Sequence, residues 1–311
     1  MNNWIKFCST KILALSLVFS ACSTGNEMSS EQPETSSSPS FLWEVSKDGS
    51  RSFLFGTMHV SDPRVTTITP HRERAFTKSD AVFTELKESP MQLGAKVAEA
   101  GRLPKGTQLS DVIPADMYAK LRDFVESKKL SMSVLNDLRP WIVGMQLQLI
   151  EAMPYMQGVA LDIQLSNRAR KEGKTVGGVE TIEEQIAALA FGNEQEQAFL
   201  LGKALDKLMD KSPSEKSEIE VMLENYIAGD IDALWFHAEK EFKDASELEK
   251  AAFDALLTKR NRSMADRVDD RISSNPDTVY FFAFGALHFA GPDGVNELLK
   301  NMGYEVNRVV K

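Results

Sequence analysis

The chain has 311 residues and a formal net charge of −9 at neutral pH. That acidity disfavours nucleic acid and anionic lipid as partners of the folded body. Both of its cysteines, Cys8 and Cys22, lie near the start, which leaves the body with no disulfide, thiol nucleophile or cysteine-held zinc. Any metal must then be held by histidine and carboxylate.

At the N-terminus, Lys6 and Lys11 precede an apolar run, Ile12 to Phe19, and the small residues Ser20-Ala21 stand directly before Cys22. This is the pattern of a signal peptide over residues 1–21, and the run is too short to span a bilayer. Phe19-Ser20-Ala21-Cys22 reads as a lipobox, with Phe19 where leucine is usual, so Cys22 is the expected lipidation site. More than one acyl chain on that residue gives durable anchoring. Removing residues 1–21 takes away two lysines and no acid, moving the formal charge from −9 to −11. Residues 22–40 are rich in Ser, Thr, Glu and Pro, as expected of a disordered tether. The rest, 41–311, is long enough for one large domain or two small ones.

In chain order, Phe41 to Val45 and Ser52 to Phe55 read as a hairpin turning at Lys47-Asp48-Gly49-Ser50. Ala81 to Leu86 is β-prone. Helical periodicity begins after Pro114, where Met117, Leu121, Phe124 and Val125 are suitably spaced. Further helices are expected over Pro140 to Met153 and Val159 to Glu172, the latter ended by Gly173. Strand character returns over Lys174 to Glu180, and Thr181-Ile182-Glu183-Glu184 is a capping box. Residues 193–273 read as helical, with breaks near Pro213, Gly229-Asp230 and Asp244. Thr278 to Phe284 is continuously apolar, as in a central strand covered on both faces. Pro292 to Met302 reads as a helix and Tyr304 to Val310 as a closing strand. The expected fold is α+β or α/β, with a mixed β-sheet from the N- and C-terminal segments and a long, mainly helical middle region.

One local pattern occurs twice. Phe53-Leu54-Phe55 leads into Gly56-Thr57-Met58-His59, and Phe281-Phe282-Ala283-Phe284 into Gly285-Ala286-Leu287-His288. In each, the glycine is expected to free the backbone so that the chain turns off the strand and projects the histidine at the carboxyl edge of the sheet. Ligands bind at that edge in α/β proteins. If the two strands are parallel neighbours, both imidazoles converge on one site, as a divalent metal requires. A lone G-x-x-H is weak, but here it accounts for two of only four histidines. His71 and His237 sit in settings that suggest structural roles.

Paired G-x-x-H motifs, one early and one late, make the chain resemble the TraB/GumN family, the group related to the Tiki metal-dependent proteases. The likeness extends to Leu138-Arg139-Pro140-Trp141, Gly158 with Asp162, Gly178-Val179-Glu180-Thr181, Arg260-Asn261 and His288-Phe289-Ala290-Gly291-Pro292-Asp293-Gly294. It covers about residues 41–311. It also implies an acidic residue after the next strand, a place filled by Glu85.

The resemblance and the chemistry together suggest roles. His59 and His288, with Glu85 or Glu180, form a nitrogen- and oxygen-rich set suited to manganese, cobalt or zinc; the resemblance favours manganese or cobalt. A carboxylate that does not ligate would serve as general base. Arg260 would stabilise an oxyanion or grip a substrate carboxylate, with Asn261 positioning either. Gly291 and Gly294 leave amides open to a substrate anion at the start of the last helix, and Asp162 is either a substrate contact or a buried partner of an arginine. The leading expectation is an exported bacterial lipoprotein, anchored through Cys22 and facing the periplasm from the outer membrane. It would hydrolyse peptides or proteins with a divalent metal. The rival is a non-catalytic binding or regulatory lipoprotein, since two imidazoles also grip haem iron.

Overall fold

A computed structural model describes residues 41–310 apart from Gln157 and Pro213. The expected signal peptide, the Cys22 lipidation site, the tether over 22–40 and the break at Pro213 therefore lie outside the described residues. Six strands form one sheet: β1 (Leu42–Lys47), β2 (Ser50–Thr57), β3 (Ala81–Thr84), β4 (Thr175–Gly178), β5 (Tyr280–Gly285) and β6 (Glu305–Arg308). Their spatial order is β4-β3-β5-β2-β1-β6. The first four in that order run parallel, and β1 is antiparallel to both β2 and β6. The sheet is thus mixed, and the apolar β5 lies inside it, paired on both sides.

The β1–β2 hairpin closes on Asp48 and Gly49 between the paired residues Lys47 and Ser50. Both turn residues have positive φ, 50° and 86°, as a two-residue turn matched to the twist of the strands demands. Asparagine, aspartate and glycine tolerate this backbone best, which explains the Asp-Gly pair.

Helices cover both faces of the sheet. On one, Pro70–Lys78 and Leu161–Lys171 bury Ala75, Phe76, Leu161, Leu165 and Ala169 against Phe55, Val82 and Phe281. On the other, Thr258–Ser274 and Val295–Asn301 bury Met264, Val268, Val295 and Leu299 against Leu54, Phe282 and Phe284. Side chains alternate across a strand, so Phe281 serves one core and Phe282 the other. A separate helical body, which includes Ala115–Ser127, Pro140–Ala152 and Glu194–Asp210, has its own core around Leu121, Val143, Leu147, Leu201 and Leu205. The strands come from the two ends of the chain except for β4, which lies within this mainly helical middle, between helices Leu161–Lys171 and Glu194–Asp210. No described helix is long and apolar enough to cross a membrane.

Boundaries differ from the sequence reading by one or two residues at most ends. The helix expected from Val159 begins at Leu161 with Ala160 as its N-cap, and the one expected from Pro292 begins at Val295. Between 193 and 273 there is one more break, at Leu257 (φ −123°, ψ −69°), which separates helices Glu247–Leu256 and Thr258–Ser274.

Candidate metal centre

The register of the parallel pair places Thr57 opposite Gly285, so β2 and β5 end level with each other. His59 follows β2 by two residues, and His288 lies in the single turn Ala286–Phe289 after β5. Both histidines therefore reach the carboxyl edge of adjacent parallel strands. The two motif glycines do something other than turn the chain, for neither has a positive φ. They provide space. A Cβ on Gly56 would lie 3.0 Å from the Phe41 Cβ, and one on Gly285 would lie 3.2 Å from Glu85 Oε1 and 3.6 Å from His59 Nε2. Any side chain at 285 would intrude on the site itself.

Glu85 leaves the end of β3, the neighbour of β5, and its side chain is 9% exposed. Its Oε1 lies 3.5 Å from His59 Nε2 and 3.8 Å from His288 Nε2, and accepts a hydrogen bond from the Gly285 amide at 2.8 Å. Its Oε2 accepts from Arg260 Nη2 at 2.8 Å and from Gln185 Nε2 at 3.1 Å. The far nitrogens of both imidazoles also face acceptors, one of them within hydrogen-bond distance. His288 Nδ1 lies 2.6 Å from Asn261 Oδ1, and His59 Nδ1 lies 3.6 Å from Asp162 Oδ2. Asn261 is fixed in turn by donating its amide to the Asp293 carbonyl at 2.8 Å. For His288 the acceptor at Nδ1 sets the proton there and turns the Nε2 lone pair inward.

Behind Glu85, Arg260 makes two bonds to Glu180, from Nε at 2.9 Å and Nη2 at 2.6 Å. A third donor goes to the Leu256 carbonyl at 3.1 Å. With the bond to Glu85, four of the five guanidinium hydrogens are committed within the protein. Glu180 is 2% exposed at its side chain and lies outside the cavity lining. Arg260 and Asn261 are neighbours on the first turn of Thr258–Ser274, so one helix start steadies Glu85 and His288 together.

The charges follow from these contacts. Burial opposes ionisation of Glu85, but its bond with His59 and the positive groups around it hold its carboxyl well below the usual range. For His59, burial works against protonation, yet the bonds with Asp162 and Glu85 prevail and hold the imidazole well above its ordinary value. Its side chain is 48% exposed, so solvent softens both effects. His288 is the opposite case, pushed by burial down to about 4 despite the attraction of Glu85. Burial also pushes the Glu180 carboxyl up, against the pull of Arg260.

Among the described residues, no three His, Cys, Asp or Glu side chains stand as a finished metal cluster. The donors nevertheless fit a cation in type and direction. Separations of 3.5 and 3.8 Å around Glu85 Oε1 slightly exceed the roughly 3.4 Å donor–donor edge of a tetrahedral shell with ~2.1 Å bonds. His288, held neutral, turns a lone pair toward a carboxylate oxygen, an arrangement that a positive ion between them relieves. Asp162 Oδ1 is buried beside them with no hydrogen-bond partner among the described residues.

A cavity of ≈ 540 Å³ opens over this group, and His59, Glu85, Asp162, Arg260 and His288 all line it. Sequence reading placed Gly291 and Gly294 at the site, but neither is in the lining. Gly291 packs against the Trp235 ring and Gly294 caps the last helix. That reading omitted Gln185, whose only signal was its place four residues beyond Thr181 in the capped helix. It also omitted Arg267 and Arg271, which lie along the same helix as Arg260 and grip the Val179 and Gly178 carbonyls next to Glu180.

The chain is similar to known proteins. Metalloprotease TIKI1 of Xenopus tropicalis is 30% identical to the chain, over 86% of the chain and 61% of its own length. Metalloprotease TIKI1 of Homo sapiens is 29% identical over 88% and 63%, respectively. An uncharacterized protein of Treponema pallidum is 22% identical over 94% and 90%. The chain spans about three fifths of the length of the two animal proteins. No solved structure matches it. The profile of the TraB/PrgY/gumN family matches residues 41–308, which run from the first strand through the last and take in both histidines, so the chain belongs to that family.

Proposed function

We propose that the chain is a divalent-metal-dependent hydrolase of peptide bonds, with the metal held by His59, His288 and Glu85. One observation carries this reading: two Nε2 atoms from adjacent strand ends face a single oxygen of Glu85, and each Nδ1 is backed by its own acceptor. The naming of the animal relatives as metalloproteases supports it. Manganese or cobalt suits the nitrogen and oxygen donors, and zinc is also compatible. Haem suits the site less well, because a porphyrin plane between the imidazoles would need the place that Glu85 holds with Gly285 and Arg260.

A bound divalent ion supplies Lewis acidity, polarising the scissile carbonyl and acidifying water. The protein does the rest. Asn261 Oδ1 keeps the proton of His288 on Nδ1, and Asp162 Oδ2, 3.6 Å from Nδ1 of His59, orients that ring by its charge. Of the three carboxylates, Glu180 is sealed behind Arg260, while both oxygens of Glu85 are engaged. Asp162 lines the cavity beside His59 and is neither sealed behind Arg260 nor among the proposed ligands, so of the three it is the group placed to take a proton from the attacking water. Arg260 neutralises Glu85 and Glu180 and keeps Glu85 aimed at the histidines, a positioning role.

Lys6, Lys11 and Ser20-Ala21-Cys22 support placing the enzyme outside the cytoplasm, tethered by lipid on Cys22, and Ser23 after that cysteine, in place of a retention aspartate, favours the outer membrane facing the periplasm. Radiolabelled fatty acid should enter the wild-type chain and not Cys22→Ala. For the metal, elemental analysis and titration calorimetry on the purified chain should give one manganese, cobalt or zinc ion per chain. The folded His59→Ala, His288→Ala double variant should bind none. Absence of metal from both proteins after supplementation would overturn the reading.

A further inference from the structure

The cavity over the centre is built asymmetrically. Its ionisable lining residues are His59, Glu85, Asp162, Arg260 and His288, which cluster together at the candidate centre and form what we call its floor. Everything else that lines it is uncharged, and the walls are dominated by Met145, Leu149, Met156, Met222, Phe253 and Leu257. These come from three different helices and the segments beside them, so the apolar wall is assembled from separate parts of the chain. The volume, ≈ 540 Å³, lies within the roughly 300–1,000 Å³ of pockets that bury most of a small ligand. A charged side chain entering this space would lose its water and meet no counter-ion away from the floor. An apolar side chain would exchange water for thioether and hydrocarbon contacts, and unbranched methionines adapt to several shapes.

Building on the peptide-hydrolase reading, we infer that the site selects uncharged peptide segments carrying a bulky apolar side chain next to the scissile bond. The apolar walls receive that side chain while the backbone carbonyl beside it lies over the floor. Because three of the six wall residues named are methionine, selection is by size and apolarity, and Leu, Met and Phe are all accepted. One methylene in an apolar pocket is worth roughly ten-fold or more in kcat/KM, so Leu should exceed Ala by at least that factor, and Glu or Lys should fall lower still.

The test uses the full chain and one family of dye-labelled decapeptides that differ only at a single position, Leu, Phe, Ala, Glu or Lys. Cleavage is followed with manganese supplied, and binding is followed by fluorescence anisotropy after chelation. Preference for Leu and Phe in both assays supports the inference. The same preference in binding without any cleavage also supports it, while removing the hydrolase reading. Cleavage that differs less than two-fold across the series overturns the inference and leaves the hydrolase reading standing. No binding and no cleavage overturns both. Met222→Lys adds a check that misfolding cannot imitate: it should lower kcat/KM for the Leu peptide and raise it for the Glu peptide by about ten-fold. An unchanged ranking in that variant counts against the walls as the selecting surface.

Discussion

Replacing Arg260 with methionine should destabilise the fold more than any other single change at the site. The guanidinium is 14% exposed and serves two carboxylates, Glu85 at 9% and Glu180 at 2%. Removing one partner from a buried ion pair costs about 3–5 kcal/mol, because the remaining charge stays desolvated. Here one cation answers two anions, which puts the cost near the upper end, about 4–5 kcal/mol. For a domain of this size each kcal/mol moves Tm by roughly 2–4 °C, so a fall of about 8–20 °C is expected. Urea denaturation followed by circular dichroism gives the free energy, and calorimetry gives Tm. The decisive arm is a double-mutant cycle with Glu180→Gln. Once one of the orphaned charges is gone, the pair should be less unstable than the sum of the single changes, by at least about 1.5 kcal/mol. Arg260→Met within about 1 kcal/mol of wild type, or strict additivity, would refute the account of Arg260 as the shared counter-ion.

Asp162→Asn should keep the metal and lower kcat by about 10²–10⁴-fold, the range for loss of a general base; unchanged turnover would remove it from that role. Asn261→Ala frees the Nδ1 side of His288 and should weaken manganese binding by about 10–100-fold in titration calorimetry. Arg267 hydrogen-bonds Glu184 and holds its carboxyl at about 2, well below its ordinary 4.5. A depressed carboxylate stabilises the fold above its unfolded value, and the benefit is lost as pH falls from about 4.5 to about 2. The Glu184 side chain is 45% exposed, so the effect is on the order of 1 kcal/mol, and Glu184→Gln should flatten the acid limb of the stability curve. Gly49→Val should cost about 1–2 kcal/mol from backbone strain, since φ is +86° and a Cβ there meets nothing within 4 Å. A neutral result would mean that the turn rearranges.

The local pattern of the sequence was enough for the hairpin, whose Asp-Gly pair admits few other backbones, and for the buried β5, whose apolar run fits only a covered strand. The matched strand–Gly–x–x–His segments also pointed to one sheet edge, because spacing along a strand and its continuation is a local property. Other features depend on the rest of the fold. The break at Leu257 falls among good helix formers, and packing imposes it: Leu257 is buried at 5%. Helices Pro70–Lys78 and Pro90–Ala100 lack a long apolar periodicity, and their local signals are a proline in each first turn and the capping box of Ser89 with Gln92. Gln185 became a partner of Glu85 only when the helix after β4 docked behind β3. The reason for glycine at 56 and 285 is likewise tertiary, since both keep ordinary backbone angles and only the neighbours forbid a side chain.

The position of β5 bears on how the protein emerges from the ribosome. It is the strand that joins the β1–β2 hairpin to the β3–β4 pair, and more than 220 residues separate Thr57 from its partner Tyr280–Gly285 segment. Until that segment is synthesised, the growing chain holds two disconnected β fragments, and the helical body is the part best able to form its own core first. His288 arrives three residues after β5 ends. A nascent chain that has not reached residue 288 therefore carries only two of the three proposed metal ligands, His59 and Glu85, and the proposed hydrolase stays silent until its architecture is nearly finished.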